Sequence, residues 1–304
     1  MKLTLTKTLM ILMSLTFVAC SNPTFEKIAQ PLIEAPDDQV LDNPEPIPEE
    51  QPPQEETPVD EEQDIVTCEP GQVEVVVPTK ILFVVDQSGS NATGTGSNTP
   101  PTDLEKAFRL KVIQDFHTQH AGKDHLSWGF ITFNSYSGVS TINALINTGD
   151  SITPSFSRDP ASVTTALESF KGIADTGRTP YKAALQSVET LIAADMAAST
   201  VESEYLIAFI TDGVPSDYCP NSPSQWLCPG SIQDPALDAD IQRLVDLAPS
   251  RIQFGTVYYG PADTGASGRL ARMAQMGGGQ FVDANTTSSI QLNDVITVPK
   301  PICQ

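Results

Sequence analysis

Asp86-Gln87-Ser88-Gly89-Ser90 places a carboxylate and two hydroxyls at positions i, i+2 and i+4, and in a locally extended segment that spacing sends all three side chains the same way. Oxygen donors converging on one point are hard ligands. They suit Mg²⁺, which prefers octahedral geometry at about 2.0 to 2.1 Å and keeps some of its waters. Two more stretches carry donors of the same type: Thr179, directly before Pro180, and Asp212, within Thr211-Asp212-Gly213. Each has an ordinary explanation when taken singly. Asp86 and Ser88 can cap a loop, Thr179 can cap a helix opening at Pro180, and Asp212-Gly213 can be a turn.

Placement by the surrounding elements is what joins them. Lys80-Ile81-Leu82-Phe83-Val84-Val85 is a continuous apolar run ending at Asp86, as expected of a strand buried on both faces of a parallel sheet. Tyr205-Leu206-Ile207-Ala208-Phe209-Ile210 is a second such run, ending in Thr211-Asp212-Gly213. Between them the patterns predict a helix over 103–120, with Leu104, Phe108, Val112 and Phe116 on one stripe and Thr102 or Asp103 as its cap. Strands over 126–133 and 140–146 follow, then helices over 161–170 and 180–198. After the second run come a helix over 234–247, a strand over 252–259, a helix over 268–276, a strand over 279–282 and a helix over 288–296. Such alternation predicts an α/β fold, a doubly wound and mostly parallel Rossmann-like sheet with helices on both faces. Ligands of such sheets sit outside the carboxyl ends of the strands, where strand order reverses. Asp86 and Asp212 should therefore project from one edge into one crevice.

With the three stretches in this order, the chain resembles the von Willebrand factor type A (vWA) domain over about residues 79–296. The metal-ion-dependent adhesion site of that family consists of Asp-x-Ser-x-Ser, a Thr before Pro, and an Asp in a Thr-Asp-Gly turn. The likeness includes Arg178-Thr179-Pro180-Tyr181-Lys182-Ala183-Ala184-Leu185 and Gly278-Gly279-Gln280-Phe281. The resemblance implies hydroxyl ligands from Ser88, Ser90 and Thr179, with Asp86 and Asp212 holding the ion directly or through waters. It implies Mg²⁺, with Mn²⁺ or Ca²⁺ as alternatives, and a protein ligand whose acidic side chain completes the metal shell. Neutral hydroxyls cancel little of the ion's charge, which leaves it electrophilic.

A phosphatase of the haloacid dehalogenase type is the principal rival, and its second Asp would stand at Ser88, which cannot protonate a leaving group near neutrality. No Gly-x-Ser-x-Gly elbow supports a serine hydrolase either. The chain is therefore read as a binding module with no catalytic residue and not as an enzyme, with a metal-independent envelope scaffold as the alternative. Two insertions, 91–101 and 214–233, emerge beside the donor loops, where specificity usually resides. Trp226 in the second is a candidate partner contact or a residue packed under its own loop. His117 and His120, near a helix end, and His125 beyond it read as a solvated terminus suited to the helix dipole rather than as a zinc site.

The formal charge of −21 is unevenly spread: residues 21–72 hold fifteen acids, one base and ten prolines, and residues 73–304 carry −9. The first stretch is too acidic and too poor in apolar residues to order itself, and reads as a self-repelling tether averaging roughly 40 Å end to end. The negative balance of the second argues against a nucleic-acid partner, which would need a basic face. Residues 1–19, with Lys2 and Lys7 before the apolar stretch 9–19, have the layout of a secretory signal. Leu15-Thr16-Phe17-Val18-Ala19-Cys20 resembles the lipobox of bacterial lipoproteins, with Phe17 where Leu is usual. That resemblance implies a membrane anchor on Cys20, and Ser21 after it points to the outer membrane. The expected organisation is a signal over 1–19, a lipid-anchored tether over 20–72 and a vWA domain over 73–304. Four further cysteines in an exported protein favour disulfides. Pairing Cys68 with Cys303 clasps the domain ends, and pairing Cys219 with Cys228 staples one loop.

The mature protein is expected to begin at Cys20 and to carry lipid there, as read by mass spectrometry of the N-terminal peptide. A retained Met1 or an unmodified N-terminus overturns the anchor.

Overall fold

Residues 81–85 are apolar without alternation, so both faces of that segment have to be covered, and the structure covers them: Ile81, Phe83, Val84 and Val85 have no exposed surface. The computed structural model describes residues 68–69, 72–93, 100–150, 152–219, 232–287 and 289–304, all within the compact unit Glu61–Gln304. In chain order the elements are β1 (Glu74–Val75), β2 (Thr79–Asp86), α1 (Ser90–Thr93), α2 (Ala107–His120), β3 (Leu126–Tyr136), β4 (Val139–Ala144), α3 (Ala161–Gly172) and α4 (Tyr181–Ala198). They continue with β5 (Glu204–Thr211), α5 (Asp234–Asp246), β6 (Ile252–Tyr258), α6 (Thr264–Met276), β7 (Gly278–Asp283) and β8 (Ile302–Cys303).

Six strands form one sheet in the order β4-β3-β2-β5-β6-β7. All neighbours are parallel except β4, which runs antiparallel to β3 at one edge. This is the doubly wound α/β architecture that the alternation predicts. Strand order proceeds one way from β2 and the other way from β5, so the reversal lies between them. Leu82 and Val84 pack into one apolar core with Leu185 of α4, Leu237 of α5 and Leu270 of α6. Ile81, Phe83 and Val85 pack into the other, with Phe116 of α2, Phe170 of α3 and the segment carrying Leu292, Val295 and Ile296. Each such side chain contributes about 1.5 to 3 kcal/mol when fully buried. Among the described residues, no helix is long and apolar enough to cross a membrane.

Three helices differ from expectation. The one expected over 103–120 begins at Ala107, after a 3-10 turn at Leu104–Lys106 in which Glu105 and Lys106 have φ of 56° and 60°. Leu104 is 63% exposed and so lies off the buried stripe. The delay follows from Asp103, whose carboxylate accepts the N–H groups of Phe108 and Arg109 at 2.8 and 3.2 Å and so caps α2 from upstream. The helix expected over 268–276 starts earlier, at Thr264, because Asp263 accepts the N–H groups of Gly265 and Ala266. The helix expected over 288–296 is only a 3-10 turn at Leu292–Asp294. Its continuation is lost because the Val295 carbonyl accepts the N–H of Gln280, and it lies so close to the sheet that a Cβ on Gly255 would come within 2.3 Å of it.

β1 pairs antiparallel with β8, and the expected Cys68–Cys303 disulfide joins the chain beside them, with Cα atoms 5.5 Å apart. Cys219 is also disulfide-bonded. Its expected partner Cys228 lies outside the described residues, as do Trp226 and Cys20.

The histidines correct the sequence reading. His117 and His120 are 9% and 8% exposed. The His117 ring lies 5.0 Å from that of Trp128, the His120 ring 4.6 Å from that of Phe116, and His120 Nε2 is 2.8 Å from Asn293 Oδ1. A strand and the 3-10 turn at 292–294 cover this helix end, so it is not solvated. Burial pushes both imidazoles below their ordinary value of 6.5. The unfolded chain takes up their protons first, so the stability they contribute is complete above pH 6.5 and is lost as pH falls from there toward their folded values. Urea unfolding at about pH 7.5 and about pH 5.5 checks this. The midpoint of the wild type should fall on acidification relative to that of the double variant His117→Phe/His120→Phe, whereas a constant difference would show that the rings protonate freely in the folded state.

Candidate metal centre

β2 and β5 run in register to Val85 and Ile210, so Asp86 and the Thr211-Asp212 pair leave the sheet side by side at the point where strand order reverses. Both carboxylates are out of water, with Asp86 fully buried and Asp212 2% exposed. Asp86 is held at both oxygens. Oδ1 accepts the Ser88 N–H at 2.7 Å and Oδ2 accepts the Thr211 hydroxyl at 2.6 Å.

The chain beyond Asp86 is not extended, contrary to the reasoning from i, i+2, i+4 spacing. Ser90 opens the single turn of α1, and the Ser88 and Gly89 carbonyls accept the N–H groups of Asn91 and Ala92 at 3.3 and 3.2 Å. The hydroxyls converge through this turn. Ser88 Oγ is 3.0 Å from Ser90 Oγ and donates to Asp212 Oδ1 at 3.4 Å.

Thr179 comes from the loop between α3 and α4, which is tied to both neighbours. The Gly89 N–H donates to Gly177 O at 3.0 Å, the Thr176 N–H to Gln87 O at 3.0 Å, and Arg178 exchanges two backbone hydrogen bonds with Ser135 of β3. This approach requires glycine at 177: its φ is +74°, and a Cβ would fall 1.8 Å from Ser135 O. The Thr179 hydroxyl lies against the turn after Asp212, since a Cβ on Gly213 would come within 2.8 Å of Thr179 Oγ1. Tyr181 braces the same turn, its hydroxyl donating to Gly213 O at 2.7 Å. Asp86, Ser88, Ser90, Thr179 and Asp212 are thus brought to one crevice by three loops.

Other residues meet there that type and spacing do not single out. The Thr102 hydroxyl donates to Asp212 Oδ2. Buried Asn91 donates to Ser88 O at 3.2 Å and accepts the Tyr259 hydroxyl at 2.8 Å. Only position signals Tyr259, which directly follows the carboxyl end of β6, the strand beside β5.

Burial, and then the neighbouring charge of Asp212, push the Asp86 carboxyl up to about 8 against the opposing hydrogen bonds from Thr211 and Ser88. Two acids held together in low dielectric are costly to ionise, and a cation bound between them would lower that cost by displacing the proton. Among the described residues, no group of three or more His, Cys, Asp and Glu could hold a metal. The donors at this crevice are instead two carboxylates and neutral hydroxyls, hard oxygens throughout, and they fit a divalent ion of the Mg²⁺ or Mn²⁺ type rather than Zn²⁺ or copper.

No family model and no curated protein matches the chain. Among solved structures it is similar to the manganese-loaded TRAP protein of Plasmodium vivax, at 15% identity and a TM-score of 0.45 over 77% of this chain and 81% of that one. It is similar as well to the vWF domain of the type V pili tip protein Mfa5 from Porphyromonas gingivalis, at 14% identity and a TM-score of 0.46 over 69% and 90%. A third is proximal thread matrix protein 1 from the mussel byssus with a zinc occupied MIDAS motif, at 17% identity and a TM-score of 0.41 over 77% of this chain and 50% of that one. At these values the likeness concerns the path of the chain only.

Mg²⁺ at a hundredfold excess over Kd should stabilise the folded protein by about 2.7 kcal/mol, a rise in Tm of about 5 to 10 °C for a domain of this size. Asp212→Ala should abolish the rise. Equal melting temperatures in Mg²⁺ and in EDTA would remove the metal from this crevice.

Proposed function

We propose that the chain is an envelope lipoprotein, anchored in the outer membrane through Cys20, whose residues 73–304 form a vWA-type domain that captures a protein ligand through a divalent cation. The observation carrying this reading is the convergence of three hydroxyls and two buried carboxylates at the crevice between β2 and β5. Mg²⁺ bound there would supply a positively charged coordination position open to a ligand oxygen. Ser88, Ser90 and Thr179 would hold the ion without neutralising it. Asp86, fixed at both oxygens, and Asp212, fixed through Ser88 and Thr102, orient the charge.

The group captured is an acidic side chain. Residues 73–304 carry −9, so long-range steering repels an acidic partner and the attraction has to be local. The chemistry is capture rather than turnover, because a neutral serine stands where a general acid would be needed.

Pull-down from envelope extracts tests this reading. Retention of the partner in Mg²⁺ should fall by about tenfold or more in EDTA and equally in Thr179→Ala, while a moderate rise in salt should matter less because an inner-sphere contact is not a screened surface pair. Thr179→Ala should melt close to the wild type, since the threonine's backbone contacts are kept. Undiminished retention under both treatments would favour a metal-independent scaffold.

A further inference from the structure

α2 carries a cation at a position that a packed apolar residue could fill. Arg109, in its first turn, has no exposed surface, and its guanidinium lies over the rings of Phe170 and Tyr259 at 5.2 and 5.9 Å. Nε donates to Asp103 Oδ2 at 2.7 Å. Nη1 and Nη2 form a fork on the two oxygens of Asp175 at 3.2 and 2.8 Å, and Nη1 also donates to the backbone carbonyl of Asp86. Lys106 Nζ adds a contact of 3.4 Å to Asp175 and donates to Ile173 O at 2.8 Å. Buried ion pairs of this kind are frequently no more stabilising than apolar packing of the same volume. Stability therefore does not explain the arrangement, whereas its connectivity does.

The Asp86 carbonyl belongs to the first donor loop. Asp175 lies four residues before Thr179 in the second. Asp103 follows Thr102, whose hydroxyl is bonded to Asp212 in the third. One planar guanidinium therefore joins the first and second loops directly and is linked to the third through Asp103 and the adjacent Thr102, with a geometry that the point charge of a lysine cannot reproduce. We infer that Arg109 is the positioning residue of the metal centre, setting the relative placement of the first two donor loops through Asp86 O and Asp175 and of the third at one remove, through Asp103 and the adjacent Thr102. This rests on the metal-binding reading above and assigns the residue on which the ion's affinity depends at one remove.

The test compares full-length wild type with Arg109→Lys, which keeps the charge and loses the fork. Two quantities are measured: Mg²⁺ affinity by calorimetry, and amide hydrogen exchange at Gly89, whose N–H joins the first and second loops, and at Val84 in the sheet interior. Arg109→Lys should weaken Mg²⁺ binding by about tenfold or more, the usual effect of removing a group that orients metal ligands. It should speed exchange at Gly89 by about tenfold while leaving Val84 within about threefold. Affinity within about twofold of wild type together with unchanged Gly89 exchange would overturn the inference, and so would equal acceleration at both amides, which is global loosening. If wild type itself binds no Mg²⁺, the metal-binding reading fails, and Gly89 exchange still decides whether Arg109 places the loops. If Arg109→Lys does not fold, Asp175→Asn is read by the same two measurements, with the same outcomes on either side.

Discussion

Asp86 and Asp212 stand beside each other with almost no access to water, and the repulsion between them is the constraint to which the rest of this edge of the sheet responds. Such a pair is relieved by taking up a proton, as the raised Asp86 carboxyl does, or by separating. Here the two strands that carry the acids are hydrogen-bonded neighbours and cannot part. Donors have accumulated around them instead: the Thr211 and Ser88 groups on Asp86, and the Ser88 and Thr102 hydroxyls on Asp212. Each brings a proton but no charge. The pair is orientated without a resident positive charge, so a divalent ion that enters displaces only the proton that burial holds on Asp86.

Positive charge is present nearby but is placed behind the loops rather than in them. The Arg109 guanidinium faces the carbonyl of Asp86 and the carboxylates of Asp103 and Asp175. Its charge is met by two acids of its own, so it does not satisfy the pair at the crevice. An arginine one layer further forward would close the site to a cation. The separation between a cation paired with its own acids and an acid pair with no cation beside it gives the edge its polarity.

The sequence revealed most where local pattern and global topology agree. Two unbroken apolar runs, each ending in an acid, placed Asp86 and Asp212 at the strand ends, and doubly wound topology then required them to meet. That the Ser88 and Ser90 hydroxyls converge followed from type and spacing, although a helical turn and not an extended segment gathers them. What was illegible depends on partners distant in the chain. Thr102 meets Asp212 across 110 residues and Tyr259 meets Asn91 across 168. The buried state of His117 is settled by Trp128 in a strand, and the late start of α2 by a carboxylate shared with Arg109. Arg109 did leave a trace, since it lies between Phe108 and Val112 in the first turns of a helix whose buried face there is apolar, a position where charge is expected only with a buried partner.

The clasp at the opposite edge bears on how the fold would carry tension. The chain enters β2 at Thr79 and leaves it at Asp86, so the two ends of this eight-residue central strand lie about 25 Å apart along its axis. A pull applied between Thr79 and Asp86 would be directed along that axis. β2 is paired on both sides, to β3 and β5, and such a pull would have to shear both ladders together instead of opening one bond at a time. The Cys68–Cys303 bond divides the same pull between two chain paths, one leading into β2 and the other back from β8 through the segment that carries Val295 and Ile296. The two-residue pairing of β1 with β8 would peel readily by itself. Crosslinked, it becomes the point at which the force is shared between the beginning and the end of the sheet.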